Sequence, residues 1–217
     1  MRQRLHILRI VIAYVGQTRS KSLIAELLAH GLRECTQRGE LPPRRSPWFF
    51  DNGAFRDWKA GAPFAVGDYV GSLRLLRTME TPPDFIVAPD IVAGGAASIR
   101  RSIAWIDGIK QCSDAPIYLV AQDGMTDAEI LTALEWFGGL FVGGSVGWKR
   151  DSAERLVQLA HDAHKPCHIG RAGTARKVAW CIRIGADSLD SCLPLWSKQY
   201  LAKFLDALAG RQLDMWG

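Results

Sequence analysis

The sequence predicts an α/β fold, namely a compact (β/α)8-type TIM barrel in which one of the eight units is irregular. Apolar runs of strand length alternate along the chain with segments whose apolar residues recur at helical spacing. The apolar runs are continuous, which is typical of parallel strands covered by helices. No linker divides the 217 residues, so we expect one domain over residues 1–217.

Seven βα units are visible in order along the chain. A basic, proline-rich loop at 38–47 separates the first unit from the second. A complete eight-stranded barrel usually has about 250 residues, so a barrel of this length is compact and hides one unit. An open doubly wound sheet is the alternative architecture. The predicted strands are 8–15, 48–50, 84–90, 116–122, 139–145, 165–170 and 186–192.

Composition narrows the class of protein. The net charge of +5 is mildly basic and is compatible with a polyanionic partner without requiring one. The longest apolar run near the N-terminus is too short to span a bilayer, contains Arg9 and has no cleavage site after it, so we expect no membrane segment and a cytoplasmic protein. The cysteines have no metal-binding or redox spacing and are expected to be reduced; they are Cys35, Cys112, Cys167, Cys181 and Cys192.

Polar residues follow most of the predicted strands at the point where each strand ends. In a parallel barrel these carboxyl ends share one face, on which active sites of this architecture are built. An aspartate after a strand often only caps the next helix, and glycines often only make the turn. Recurrence at several strand ends favours a shared pocket. The candidates are Asp51, Asn52, Asp90, Gln122, Gly143, Gly144, Ser145, Gly170 and Asp190.

This set of residues favours carboxylate chemistry. Only His168 lies inside a predicted barrel strand, and we interpret it as a packed core residue rather than a base, which argues against a serine-type triad. A carboxylate can act as a nucleophile at a sugar carbon while a second carboxylate acts as acid or base. A third carboxylate, an amide and backbone N–H groups can bind the donor and acceptor edge of a nucleobase.

The motifs that carry these residues resemble the tRNA-guanine transglycosylases and their relatives that insert 7-deazaguanines into DNA. "DNGAF" at 51–55 is similar to the family's Asp-Ser-Gly-Gly-Phe, and Asp90 in "VAPD" and Gln122 in "VAQDGM" stand where the family has a guanine-binding Asp and Gln. "GGSVGW" at 143–148 resembles the family's Gly-Gly-Leu-Ser-Val-Gly-Glu. The stretch 173–194, "GTARKVAWCIRIGADSLDSCLP", matches the family's closing motif in the same order.

The resemblance implies a role for each site residue. Asp190 would be the nucleophile that attacks the anomeric carbon, and Asp51 the general acid and base. Asp90 would accept hydrogen bonds from the base, and Gln122 and the backbone N–H of Gly144 would donate to its carbonyl oxygen. The resemblance implies no cofactor. It implies guanine in nucleic acid and a free 7-deazaguanine as substrates.

The sequence also departs from the family's tRNA enzymes. Nothing in it matches their zinc site of three cysteines and a histidine, so we expect no zinc subdomain and no metal, and take DNA as the first substrate and tRNA as the alternative. Trp148 stands where those enzymes have a Glu. An aminomethyl cation on the incoming base would lose its counter-charge there, which favours a neutral group, as in 7-cyano-7-deazaguanine.

Basic and aromatic residues near the proposed face are candidates for nucleic-acid contacts. Solvent-exposed loop charges are the alternative interpretation for any one of them. Trp48, Trp58 and Trp148 are candidates for stacking on bases. The candidates for phosphate contacts are Arg44, Arg45, Lys149, Arg150, Arg171, Arg176 and Lys177.

Other functions remain open at this stage. The glycine-rich turn at 169–177 enters a predicted helix late in the barrel, where barrels often bind phosphate, so an enzyme acting on a sugar phosphate is one alternative. A non-catalytic barrel that binds nucleic acid or a partner is another. Apolar residues around Trp196, Tyr200 and Phe204 would permit a homodimer.

Overall fold

The protein is a closed barrel of eight parallel strands, seen in a computed structural model that describes residues 11–210. Each strand pairs with its neighbours along the chain, and β1 pairs with β8 to complete the ring. This confirms the predicted barrel and excludes the open sheet. The strands are β1 (Ile12–Gly16), β2 (Arg33–Gln37), β3 (Trp48–Asp51), β4 (Ile86–Val87), β5 (Ile117–Ala121), β6 (Gly139–Val142), β7 (Cys167–Ile169) and β8 (Ser188–Ser191).

Helices cover the outside of the barrel. Residues 8–10 of the predicted first strand lie outside the described residues. No helix within residues 11–210 has the length and apolar character that crossing a membrane requires. The helices are α1 (Lys21–Ala29), α2 (Ala54–Lys59), α3 (Val66–Leu76), α4 (Ala96–Ala104), α5 (Ile106–Lys110), α6 (Asp127–Leu134), α7 (Val146–Asp162), α8 (Ala175–Arg183) and α9 (Lys198–Leu208), with a 3₁₀ turn at Leu193–Leu195.

Two apolar layers hold the barrel together. The larger layer lies between the strands and the helices, and the smaller one fills the barrel interior. The interior layer is largely aromatic: Phe49 stacks on Phe85 at 4.5 Å between ring centroids, and Phe85 stacks on Tyr118 at 4.1 Å. Side chains therefore fill the barrel interior, and the space for a ligand lies at the carboxyl ends of the strands.

Strand β2 is the unit that sequence analysis missed. Its sequence, RECTQ, lacks the apolar run that marked the other strands. Glu34 is nevertheless fully buried and pairs with Arg45 at 3.3 Å, and Thr36 donates to Glu34 at 2.8 Å. Arg45 also donates to the carbonyl of Val15 at 2.8 Å, so the loop at 38–47 is fastened to the barrel by a buried ion pair.

A second buried arginine follows β2 and supports the loop after β3. The Arg38 side chain is fully buried, forms an ion pair with Asp57 in α2 and lies 4.7 Å from the ring centroid of Phe64. Gly53, with a φ of 73°, packs against the Arg38 guanidinium. Arg38 therefore fixes the start of α2, directly after the site residue Asp51.

Candidate active site

A cavity of about 510 Å³ opens at the carboxyl ends of the strands. It brings together most of the polar residues predicted from the strand ends. Their separation along the chain is large, and barrel closure is what makes them neighbours. Residues of the predicted set that line the cavity are Asp51, Asn52, Asp90, Gln122, Gly143, Gly144 and Asp190.

Asp51 ends β3 and lies in the cavity wall. Its Oδ1 accepts a hydrogen bond from the backbone N–H of Gly53 at 2.6 Å. Burial raises the pKa of Asp51 to about 7; the Gly53 hydrogen bond opposes this rise, and the nearby charges of Asp190 and Asp90 add to it. A carboxyl group with this pKa exchanges protons readily near neutral pH, as a general acid and base must.

Asp90 is buried and held by two side-chain amides. Asn52 donates to Asp90 Oδ1 at 2.8 Å, and Gln122 donates to Asp90 Oδ2 at 2.5 Å. Burial raises the pKa of Asp90, and the two amide hydrogen bonds act against this rise. Each amide is itself fixed, because Asn52 Oδ1 accepts from Ala54 N–H at 2.7 Å and Gln122 Oε1 accepts from Ala93 N–H at 3.1 Å. One carboxylate is thus presented to the cavity in a defined orientation.

Asp190 lies in β8 and is bonded to the neighbouring strand β7. Its Oδ1 lies 3.0 Å from His168 Nε2 and accepts from the backbone N–H of Arg171 at 3.2 Å. Gly170 is the reason for this close approach: a Cβ there would lie 2.6 Å from the Phe141 ring and 3.5 Å from Asp190 Oδ1. The absence of a side chain at Gly170 therefore leaves room for the Phe141 ring and the Asp190 carboxylate.

The glycine loop after β6 contains a free backbone donor. Gly144 has a φ of 71°, and a Cβ on it would lie 2.5 Å from Trp148 and 2.6 Å from Asp123. Within residues 11–210 the N–H of Gly144 has no hydrogen-bond partner. Ser145 is exposed, and its N–H and hydroxyl both bond to Asp123, at 2.7 and 2.5 Å. Ser145 therefore caps α7, whereas Gly144 lines the cavity.

Comparison with known proteins supports the same assignment as the motifs. No protein-family profile matches the chain. The chain is similar to a queuine tRNA-ribosyltransferase of Gloeobacter violaceus, with 26% identity over 164 residues, which are 66% of this chain and 42% of that protein. This similarity supports the predicted resemblance to the tRNA-guanine transglycosylase superfamily, and it does not distinguish the relatives that act on DNA. The chain spans less than half the length of this relative.

The Arg171 side chain places a cation at the cavity. The Arg171 guanidinium lies 3.9 Å from the ring centroid of Phe55 and donates to the carbonyl of Gly144 at 2.5 Å. Arg171 has a φ of 59°, in the left-handed region. Lys177 and Lys59 also line the cavity. The cavity thus combines carboxylates at its wall with cations beside them.

Two residues that were predicted to contact phosphate are buried, so these two predictions are wrong. Arg45 is 4% exposed and is used by the ion pair with Glu34. Lys149 is 8% exposed and donates to the carbonyl of Gly170; burial, with the charge of Arg171, lowers its pKa to about 7. Neither side chain has the surface that a phosphate contact requires, so both support the barrel and the site loops.

The remaining cations are accessible. Arg44 and Arg176 are exposed, and Lys177 is half-buried at the cavity. Arg150 is exposed and pairs with Asp151 at 2.8 Å. The exposure of Arg44 and Arg176, and the place of Lys177 at the cavity, are compatible with phosphate contacts.

Tryptophans at the mouth differ from those expected. Trp48 is fully buried and is therefore not a stacking surface, whereas Trp148 is half-buried and packs against the core beside Gly144. Trp58 is 56% exposed. Trp196, which lines the cavity and is 74% exposed, was not predicted as a site residue, because it precedes α9 rather than following a strand. Phe55, in the quoted "DNGAF" motif, was also missed.

Proposed function

We propose that the protein exchanges guanine in nucleic acid for a 7-deazaguanine base through a covalent Asp190–glycosyl intermediate. The observation that carries the proposal is the presence of Asp51 and Asp190 in one cavity. Burial raises the pKa of Asp51 to about 7, and within residues 11–210 the hydrogen bonds to Asp190 all go to Oδ1. Two carboxyl groups in such different environments are suited to different roles.

In the first half-reaction Asp190 attacks the anomeric carbon of the nucleotide. The bond between that carbon and N9 of guanine breaks as the carbon–oxygen bond to Asp190 forms. The protonated Asp51 gives its proton to the departing guanine, which therefore leaves as the neutral base. The products of this step are free guanine and a glycosyl ester of Asp190.

In the second half-reaction the incoming base reverses these transfers. Asp51, now a carboxylate, takes the N9 proton of the 7-deazaguanine. N9 then attacks the anomeric carbon and Asp190 leaves as a carboxylate. Because Asp51 ends the cycle protonated and Asp190 ends it ionised, the enzyme returns to its starting state.

Asp90 and the groups around it are suited to binding the base. The carboxylate accepts from the N–H edge of guanine, and its orientation is fixed by Asn52 and Gln122. The unpartnered N–H of Gly144, with the second amide hydrogen of Gln122, can donate to the carbonyl oxygen of the base. Both the departing and the incoming bases have this edge, so one set of groups serves both half-reactions.

We propose DNA as the nucleic acid and 7-cyano-7-deazaguanine as the incoming base. The choice of base rests on Trp148, which packs beside Gly144 where the resemblance predicts a Glu. The name of the Gloeobacter relative favours tRNA as the second candidate. Either nucleic acid must extrude its guanine to reach the cavity, at a cost of a few kcal/mol in a duplex, so unpaired segments should react faster.

Base exchange tests the proposal. The protein is incubated with radiolabelled guanine, or with labelled 7-cyano-7-deazaguanine, and with DNA or tRNA. We expect label in DNA, and loss of that label in Asp190→Ala. Asp114→Ala is the matched control, because Asp114 is exposed and precedes β5 at the opposite end of the barrel.

Each result of this experiment has a distinct meaning. Label in tRNA alone would keep the mechanism and overturn the choice of DNA. A mass increase on wild-type protein that is absent from Asp190→Ala would identify the glycosyl ester. A folded protein that labels neither nucleic acid would overturn the proposal in favour of the phosphate-binding barrel, which binding of a sugar phosphate would then support.

A further inference from the structure

His168 is a buried imidazole between two side chains of β8. It has no exposed surface, and its register partner across the strand pair is Ser188. Nδ1 lies 2.8 Å from Ser188 Oγ, and Nε2 lies 3.0 Å from Asp190 Oδ1. Neither bond was predicted, because sequence analysis interpreted His168 as a packed core residue only.

The surroundings of the ring fix its protonation state. His168 stacks on Phe141 at 4.5 Å between centroids and contacts Phe49 and Phe85 at 5.2 and 5.3 Å. Burial lowers the pKa of His168 in spite of the neighbouring Asp190 carboxylate, so the imidazole is neutral at neutral pH. A carboxylate only accepts, so the proton is on Nε2, and Nδ1 accepts from the Ser188 hydroxyl.

The two oxygens of Asp190 are therefore in different environments. Oδ1 has two partners, His168 Nε2 and the backbone N–H of Arg171. Oδ2 receives no hydrogen bond from any residue in the described range 11–210. Hydrogen bonds to one oxygen stop rotation of the carboxylate and leave the lone pairs of the other available to a substrate.

We infer that His168 is a positioning residue, which orients Asp190 so that Oδ2 attacks the anomeric carbon while Oδ1 remains bound to the protein. This inference rests on the proposed function. When Oδ2 becomes the ester oxygen, Oδ1 becomes the carbonyl oxygen of the ester and keeps its two donors. The same two hydrogen bonds then stabilise Asp190 as the leaving carboxylate in the second half-reaction.

The test compares His168→Leu, which removes the donor, with His168→Gln, whose amide can still donate to Asp190. Loss of a supporting hydrogen bond of this kind costs about 10- to 100-fold in activity. We expect His168→Leu to lower kcat by about that factor with KM nearly unchanged, and His168→Gln to recover most of the loss.

The other titratable groups around Asp190 are the same in both variants, so they do not account for a difference in activity between the variants. These groups are Asp51 on β3, Cys35 on β2, Lys149 on α7, Arg171 after β7 and Cys192 after β8. A merely structural role for His168 would lower activity in both variants, with no recovery in His168→Gln. That result, or full activity of folded His168→Leu, would overturn the inference.

A second measurement does not depend on activity or on those variants. In ¹⁵N NMR spectra of the wild-type protein, His168 should be the Nε2–H tautomer, and its shifts should change in Asp190→Asn. An Nδ1–H tautomer, or shifts insensitive to Asp190→Asn, would overturn the inference. Absence of base exchange in the wild-type protein would instead overturn the proposed function, whatever the spectra show.

Discussion

Asn52 donates a hydrogen bond to Asp90 across the interface between β3 and β4, at 2.8 Å from Nδ2 to Oδ1. A second bond, from the same Nδ2 to the carbonyl of Ala88, measures 2.6 Å. The amide therefore uses both of its hydrogens within the protein. Asn52, predicted to contact substrate, instead supports the carboxylate that we propose binds the base.

Asn52→Ala should therefore weaken base binding without removing the base-binding carboxylate. The loss of a charged hydrogen bond is worth about 1.5–3 kcal/mol, so we expect about a 10- to 150-fold increase in Kd for free guanine. Isothermal titration calorimetry measures this directly. Asp90→Asn should bind no guanine detectably, whereas an unchanged Kd for Asn52→Ala would show that Asp90 is oriented by Gln122 alone.

Asp51 should make stability depend on pH in a predictable direction. Its pKa is about 7 in the fold and 3.8 in an unfolded chain, so ionisation opposes folding. The stabilising contribution of the protonated group is complete below pH 3.8 and is lost as the pH rises through 7. Asp51→Asn keeps the acceptor for Gly53 and cannot ionise, so its stability relative to wild type should increase from pH 5 to pH 9, by about 3 kcal/mol.

Urea unfolding at several pH values measures this difference. Effects of other titrating groups occur in both proteins and cancel in the comparison. A stability difference that stays constant between pH 5 and pH 9 would contradict the raised pKa of Asp51.

Substitutions of Lys177 and Arg150 compare a cation at the cavity with a cation away from it as contacts for nucleic acid. Lys177 lines the cavity, whereas Arg150 is exposed on α7 and pairs with Asp151. If Lys177 contacts a phosphate, Lys177→Gln should weaken binding of DNA of every sequence and reduce the salt dependence, the slope of log K against log salt, by about one. Arg150→Gln should leave the slope nearly unchanged.

Fluorescence anisotropy of labelled single-stranded DNA at several salt concentrations provides both slopes. Equal slopes for wild type and Lys177→Gln would exclude this phosphate contact. A reduced slope for Arg150→Gln would place the bound strand over α7 instead of over the cavity mouth.

Arg38→Met should destabilise the fold. The substitution leaves Asp57, whose side chain is 13% exposed, without its buried partner, and such losses usually cost about 3–5 kcal/mol. Unfolding by urea measures the cost, and the double variant Arg38→Met with Asp57→Ala should recover part of it. No recovery in the double variant would show that packing of Arg38 on Phe64 and Gly53, rather than the ion pair, accounts for the loss.

The barrel could be predicted because most of its strands are continuous apolar runs, and the cavity because the acids follow those runs. Strand β2 could not be predicted, because it buries polar residues where the other strands bury apolar ones. Its Glu34 pairs with Arg45 and accepts a hydrogen bond from Thr36. The burial of Lys149 was equally hidden, because a lysine in a helix normally points to solvent.

The hydrogen bond between His168 and Asp190 depends on something that a single sequence does not contain. It requires the register of β7 against β8, which places His168 beside Ser188 and within reach of Asp190. The resemblance to the transglycosylase superfamily, in contrast, could be recognised from the order of its short motifs.

The pairing of β1 with β8, in which Tyr14 lies opposite Asp190, has a consequence for how the molecule is made. Contacts between segments that are far apart in a chain form late, because the entropy of closing a long loop is lost before these contacts stabilise the fold. During synthesis β1 leaves the ribosome early and has no partner on one edge until β8 follows. The nascent protein can thus have most of its fold before Asp190 joins the other carboxylates of the cavity.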